Sequence, residues 1–334
     1  QSDLKELSII NIKKGIEEQI NEYLLNTDDK YLELGCKYSL ELWDKFVNLE
    51  LPPTFDFYLK YFEVNEFAKN IKEFDLVQLD EAQDSNAVTM SIITQIPAKY
   101  IYVGDEHQSI YAFRGTKNAL NYTDKLFYLS TTFRYIPKIA QFANTILKSY
   151  KNEKVPITSL ANEKTSKKDN KTAYLSRNNA TMIGLIAELI KLNKEFVTVK
   201  DPKEIFETSI ALYEFIQNGI ITDSKYEFLL NIKELKEDNT NNEPKTIFDI
   251  KKRTNKIKKY IFDSEDNELS TAFKMQQRYK KGLHLFLNIA TKYYKKNSNT
   301  NIILSTAHTS KGLEWDNVVL LNDFPDIKNL IINA

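Results

Sequence analysis

From Asp3 to Ala68, apolar residues recur every three or four positions, as in Leu4, Leu7 and Ile10 and again in Ile16, Ile20 and Leu24. This spacing predicts helices, interrupted at Pro52-Pro53, and the segment carries no strand pattern. Between Phe74 and Leu129 the pattern changes. Short apolar runs at Phe74 to Leu79, Tyr100 to Val103 and Leu126 to Leu129 alternate with a helix-like stretch, Ser85 to Gln95, and so predict buried strands in a parallel α/β sheet. A helix is expected after Pro137, where Ile139, Phe142, Ala143, Ile146 and Leu147 share a face. The polar stretch Asn162 to Lys171 reads as a loop, Ala173 to Ser176 as a strand, and Ala180 to Leu192 as a helix. Helical spacing then runs from Pro202 to Lys296 with a polar break at Glu237 to Pro244, before strands at Asn301 to Ser305 and Val318 to Leu321. The expected layout is two α/β regions, each with helical material beside it, and no internal repeat.

Composition narrows the class. The chain has 334 residues, with 46 Lys+Arg against 46 Asp+Glu, so a nucleic-acid site has to be local rather than a product of bulk charge. Its one cysteine, Cys36, cannot form an internal disulfide or a cysteine zinc cluster, which suits a reducing compartment, with the cytoplasm as default. No apolar run approaches the length needed to span a bilayer, and Gln1 to Lys5 lacks a signal-peptide profile, so no membrane partner is expected. His107, His284 and His308 lie far apart without ligand spacing, and no structural metal is expected from them.

The chemistry concentrates in a few segments. An apolar strand ending in Asp80-Glu81-Ala82-Gln83-Asp84 delivers adjacent carboxylates to the C-terminal edge of a parallel sheet, where such sheets place ligands. Asp80 can hold Mg²⁺ while Glu81 orients or deprotonates an attacking water. Alternatively the acids form a turn in which Asp84 or Ser85 caps the next helix. A second strand ends in Gly104-Asp105, with Gln108 three residues beyond, where an amide could report a terminal phosphate. Tyr111, Phe113 and Arg114 follow, a grouping that suits stacked single-stranded bases if exposed and ordinary core if buried.

Asp80 to Asp84 followed by Val103-Gly104-Asp105-Glu106-His107-Gln108-Ser109-Ile110-Tyr111-Ala112-Phe113-Arg114-Gly115 resembles motifs II and III of the UvrD/Rep/PcrA helicases of superfamily 1. Leu129 to Arg134 resembles motif IV, and the resemblance implies that Phe133 stacks on adenine and Arg134 reaches the γ-phosphate. Thr306 to Asp316 resembles motif V, implying DNA-backbone contacts from Thr306, His308 and Lys311 and a ribose contact from Glu314. The resemblance likewise puts Gln83 and Gly312 among the nucleotide contacts and Tyr111, Phe113 and Arg114 among the DNA contacts. Tyr174 to Ala180 is similar to the strand and turn that follow motif IV. Leu42-Trp43-Asp44-Lys45 and Thr54 to Lys60 resemble the F-box DNA helicase-like branch. Each segment alone has an ordinary structural explanation; four in the expected order do not.

The resemblance implies an α/β fold of two RecA-like P-loop NTPase parallel-sheet domains, the first incomplete, with helical insertions. The implied divisions are a helical insertion over 1–70, the end of the first RecA-like domain over 71–125, the second over 126–200 and 299–334, and its insertion over 201–298. It also implies an ATP- and Mg²⁺-dependent 3′-to-5′ DNA helicase acting on single-stranded DNA and duplex junctions, with DNA repair as the expected setting, near the nucleoid in a bacterium or in the nucleus of a eukaryote. The rival class is a helicase-derived binding module without catalysis. A Walker A loop, G-x-x-x-x-G-K-[ST], is missing, because no two of the eight glycines stand five positions apart, and no motif VI follows motif V. With the non-methionine start, this leads to the expectation that sequence precedes Gln1 in a longer parent. The Lys251 to Lys259 basic run reads as a solvated helix face that could touch duplex phosphate.

Without the Walker A backbone and lysine, the polypeptide alone is expected to hydrolyse ATP negligibly. A phosphate-release assay with single-stranded DNA checks this, and sustained turnover contradicts it.

Overall fold

In a computed structural model, the described residues are 29–110, 120, 123, 125–161, 171–221, 223–231, 246–264, 266–296 and 300–324, with side chains from residue 34 onward. The chain forms two units, Gln1–Tyr128 and Leu129–Ala334.

The first unit begins with helices α1 (Asp29–Val47) and α2 (Phe55–Val64), parted at Pro52-Pro53 as expected. Proline lacks the N–H a helix interior needs. Thr54 restarts the chain, its hydroxyl accepting the Phe57 N–H at 3.3 Å. The helices meet through aromatic rings: Phe57 lies 4.9 Å from Trp43 and 5.2 Å from Phe46 between centroids. Beyond them come β1 (Leu76–Leu79), α3 (Ala87–Gln95) and β2 (Lys99–Tyr102). The strands are parallel, registered from Leu76 opposite Lys99 to Leu79 opposite Tyr102. A parallel pair needs a crossover, and α3 supplies it. Met90 of α3 and Ala82 are buried against Leu79 and Tyr102. The N-cap of α3 is Asn86, accepting the Thr89 N–H at 2.8 Å, rather than Asp84 or Ser85. The reason is local: Ala82–Asp84 winds into a 3₁₀ turn, and the helix starts only after it.

The second unit opens with a short parallel pair, β3 (Thr131–Thr132) and β4 (Thr158–Ser159), joined through α4 (Pro137–Lys151). The strand expected at Leu126 to Leu129 is not formed. Pairing is fixed instead by Thr158 N–H to the Ser130 carbonyl at 2.8 Å and Leu160 N–H to the Thr132 carbonyl at 3.0 Å, two residues further on. The four apolar residues are exposed, Leu129 at 92%.

A four-stranded parallel sheet follows, in the order β6-β7-β5-β8, from β5 (Thr172–Ser176), β6 (Val197–Thr198), β7 (Ile302–Thr306) and β8 (Asn317–Leu320). Helix α5 (Asn179–Lys191) follows β5, and its buried Met182, Ile183, Ile186 and Leu189 pack against Phe196, Phe206, Leu283 and Leu304. Between β6 and β7 lie α6 (Pro202–Asn218), α7 (Ile247–Asp263), α8 (Asn267–Tyr279) and α9 (Gly282–Lys296). A second core joins Leu212, Phe215 and Ile216 of α6 to Ile257 and Ile261 of α7 and Phe273 of α8. Within it Arg253 is 1% exposed and donates Nη1 to the Phe215 carbonyl at 2.7 Å, satisfying the end of α6. Burial pushes this guanidinium below its usual pKa, with nearby Asp249 opposing the shift.

Parallel strands alternating with helices give an α/β fold. The described residues do not comprise two complete RecA-like sheets, since the three parallel sheets contain two, two and four strands. Residues 1–28, 162–170 and 232–245, which include parts of the expected N-terminal helices, the Asn162 loop and the Glu237 break, lie outside the described residues. No described helix is long and apolar enough to cross a membrane.

Phe196 is fully buried, edge-on to Tyr293 with centroids 5.3 Å apart. Phe196→Ala is expected to lower the unfolding free energy by about 3–5 kcal/mol. Urea denaturation measures this, and a cost below about 1 kcal/mol would place the ring outside the core.

Candidate nucleotide and nucleic-acid sites

In the first unit, β1 ends at Leu79, and Asp80 and Glu81 follow at its C-terminal tip, both exposed. The Asp80 Oδ1 accepts the Glu81 N–H at 2.9 Å. Its second oxygen has no bonding partner among the described residues, leaving the hard oxygen donor a divalent cation takes. Glu81 sits at φ 51°, a left-handed conformation that costs a non-glycine residue on the order of 1–2 kcal/mol. The cost is offset by what the turn connects.

Gln83 is 1% exposed. Its Nε2 donates to Glu81 Oε2 at 2.6 Å, and its Oε1 accepts the Asp105 N–H at 3.0 Å. Asp105, just beyond β2, uses Oδ1 to accept the His107 N–H at 3.0 Å and Oδ2 to accept Gln108 Nε2 at 2.7 Å. Ladder bonds continue past both strands: Val103 N–H to the Leu79 carbonyl at 2.8 Å and Ala82 N–H to the Val103 carbonyl at 2.9 Å. A continuous hydrogen-bonded series therefore runs Glu81, Gln83, Asp105, Gln108. It brings together the acidic turn and the Gln108 turn, which are separated in sequence. Gln83 is committed inside this series, so its amide acts as a strut between the two tips. Asp105 was absent from the sequence-derived set; the signal for it was its position immediately after Gly104 at a strand end. Tyr111, Phe113 and Arg114 lie outside the described residues.

Gly104 makes the strut possible. A Cβ there would lie 2.3 Å from Gln83 Oε1 and 3.2 Å from the Ala82 nitrogen. No side chain fits that approach.

In the second unit, Phe133 follows β3 with 71% exposure, an open aromatic face. Arg134 Nε lies 3.1 Å from Glu314 Oε1. These two residues, far apart in sequence and each assigned to nucleotide, meet one another at the surface. With side chains 76% and 64% exposed, the pair is weak, about 0–1 kcal/mol.

The turn after β7 is organised by Thr306, which is 9% exposed. Its hydroxyl lies 2.9 Å from the Thr309 hydroxyl and accepts the Thr309 N–H at 3.3 Å, while its carbonyl accepts the Ser310 N–H at 2.9 Å. Thr306 thus shapes the turn that leaves His308 exposed and Lys311 half-buried. Gly312 closes the turn at φ 78°, where a side chain would be strained. A further carboxylate, missed in the sequence, holds the β5–α5 turn: Asp323 accepts the Arg177 N–H at 2.9 Å and the Asn178 N–H at 3.1 Å. Nothing in the Leu321-Asn322-Asp323 pattern signalled it.

Residues 36–126 match the UvrD/REP helicase N-terminal domain family. The chain is 30% identical over 308 residues to F-box DNA helicase protein 1 of Schizosaccharomyces pombe (strain 972 / ATCC 24843), covering 86% of this chain and 34% of that protein. It is 26% identical over 310 residues to F-box DNA helicase 1 of Gallus gallus, covering 88% of this chain and 29% of that protein. The chain therefore spans about a third of the length of these curated relatives.

Gly104→Ala is expected to displace Gln83, lower the stability of the first unit by about 1–3 kcal/mol and speed hydrogen exchange at the Asp105 amide. Unaltered exchange at that amide would show the strut to be dispensable.

Proposed function

We propose that this chain, a fragment of a UvrD-like helicase, contributes the water-activating and phosphate-sensing groups of an ATP-driven DNA motor in its longer protein. One observation carries the reading: the hydrogen-bonded series from Glu81 through Gln83 and Asp105 to Gln108. A group that positions water and an amide that senses the terminal phosphate have to move as one if hydrolysis is to be reported to the rest of a motor. A rigid amide strut is a direct way to join them.

Asp80 would hold Mg²⁺ through its carboxylate, and Glu81 would accept the proton of the attacking water. Bound Mg²⁺ supplies neutralisation of phosphate charge. Arg134 would leave Glu314 for the γ-phosphate, since an anionic phosphate competes for the guanidinium and the existing pair is weak. Glu314 is then released toward a ribose hydroxyl, and the exposed ring of Phe133 is available for adenine. Gly312 supplies the turn that carries Glu314. Gln83 acts through Glu81 rather than on nucleotide. His308 and Lys311 would contact the DNA backbone from the turn built by Thr306, with Tyr111, Phe113 and Arg114 as the stacking surface. Movement along single-stranded DNA toward a duplex junction would run 3′ to 5′, by resemblance to the family.

A second reading, a helicase-derived binding module, is favoured by one observation, the lack of any Walker A pattern in the 334 residues. Under that reading single-stranded DNA binds and nucleotide has no effect on its affinity.

In the longer protein, Glu81→Gln keeps an oxygen for the Gln83 amide but removes the base. DNA-stimulated ATP hydrolysis is expected to fall by about 10²–10⁴-fold, with binding of a fluorescent ATP analogue retained. Loss of nucleotide binding in that variant would make Glu81 a structural residue and would overturn the assignment.

A further inference from the structure

Helix α7 (Ile247–Asp263) is anchored on one side only. Its inner residues Arg253, Ile257 and Ile261 are buried in the second core. On the opposite side, seven positions apart, stand Phe248, Asn255 and Phe262, and the two rings are 73% and 82% exposed. Four helical turns set these rings about 21 Å apart. Lys251 and Lys258 line one side of this stripe, and Lys252 and Lys259 line the other. Lys251, Lys258 and Lys259 are exposed, and none of the three makes an ion pair among the described residues. Of the helix's own carboxylates, Asp249 is drawn back to the N-cap, where it accepts the Thr246 N–H at 2.9 Å, and Asp263 stands exposed at the last position.

Two large rings left in water are unfavourable, and a chain with equal numbers of cationic and anionic residues has no need to crowd lysines between them. One kind of partner satisfies both features. Residues seven apart form the seam along which a second helix lies, and cations flanking such a seam pair with acids on that helix. Nucleic acid fits less well. A duplex meets the lysines with phosphate but sets both rings against its hydrated backbone, and a single strand stacks successive bases on neighbouring rings, whereas these stand four turns apart. A second copy of this face would set lysines against lysines.

We infer that the outer face of α7 docks an acidic amphipathic helix of a partner protein. Apolar residues of that helix cover Phe248 and Phe262, and its Asp or Glu side chains meet Lys251, Lys258 and Lys259. The site makes the helical insertion between β6 and β7 a place where another protein takes hold of the chain. It does not depend on the roles proposed for the strand-tip residues.

The test uses the full 334-residue chain and a fluorescein-labelled, alanine-based five-turn peptide carrying leucines seven positions apart flanked by glutamates, titrated by anisotropy. A permuted peptide of the same composition, with no apolar stripe, is expected to bind at least about tenfold more weakly. Phe248→Ala and Phe262→Ala are each expected to weaken binding of the acidic peptide at least about fivefold, the loss of an aromatic anchor. Lys258→Glu with Lys259→Glu is expected to weaken it at least about tenfold. A peptide with lysines in place of the glutamates is expected to bind that variant better than the wild type, an exchange no unfolded chain can imitate. The same reversal on exposed α8 positions, Lys274→Glu with Arg278→Glu, is expected to leave peptide binding unchanged. No binding of the acidic peptide, equal binding of the permuted one, or an equal loss from the α8 reversal overturns the docking face. Displacement of the peptide by duplex DNA whose own affinity falls alike in the phenylalanine variants also overturns it, and makes the face a nucleic-acid surface.

Discussion

The buried amide of Gln83 is the contact on which the arrangement of the first unit's strand tips depends. Two parallel strands end side by side, and their tips carry acids that repel one another and solvent-hungry turns that would otherwise fray. A side-chain amide offers a donor and an acceptor on one rigid plane, so a single residue can tie a carboxylate on one tip to a backbone N–H on the other. Away from water those bonds are costly to lose, because either broken partner is left unsatisfied. The neighbouring glycine and the left-handed Glu81 follow from the same demand: the backbone has to come close and turn sharply for the amide to reach both sides.

The second unit solves a similar problem with different groups. Asp323 gathers the N–H groups at the start of α5, and the Thr306 hydroxyl gathers the turn after β7. Both lie at the C-terminal edge of a parallel sheet, where strand ends expose backbone donors and where ligands of open α/β sheets bind. Apolar packing and polar ordering are distributed differently along these strands. The interior, with Leu304 and Ala173 fully buried, supplies the apolar packing. The tips hold the polar groups in place and leave Arg134, Phe133 and His308 open to solvent.

The pairing of Arg134 with Glu314 also has a physical logic. An exposed guanidinium is a mobile charge with many rotamers, and a nearby carboxylate narrows its range at little energetic cost. A phosphate, with more charge and a geometry suited to two parallel N–H bonds, displaces the carboxylate readily. The pair therefore holds Arg134 near Glu314 without locking it.

Much of this was legible along the chain. Helices from Pro137 and Pro202 begin where proline fits a first turn, and β5, α5, β7 and β8 lie where apolar runs and helical spacing put them. The acid pair at a strand tip and the Gly-Asp that ends the next strand could also be read, because local pattern and strand polarity decide them. Leu126 to Leu129 shows the limit, since an apolar run becomes a strand only when a partner's register matches, and here Thr158 pairs beside Thr131. Asn86 as the cap, the strut role of Gln83, and Asp323 as the clamp on α5 were likewise invisible. The sequence by itself determined most of the helices, the strands β1, β2, β5, β7 and β8, and where the acids and cations stand, since short-range periodicity and backbone preference act within a few residues. Only the tertiary structure decided which polar atoms meet, because hydrogen bonds between residues distant in the chain exist only after packing has brought them within about 3 Å and excluded the water that competed for them.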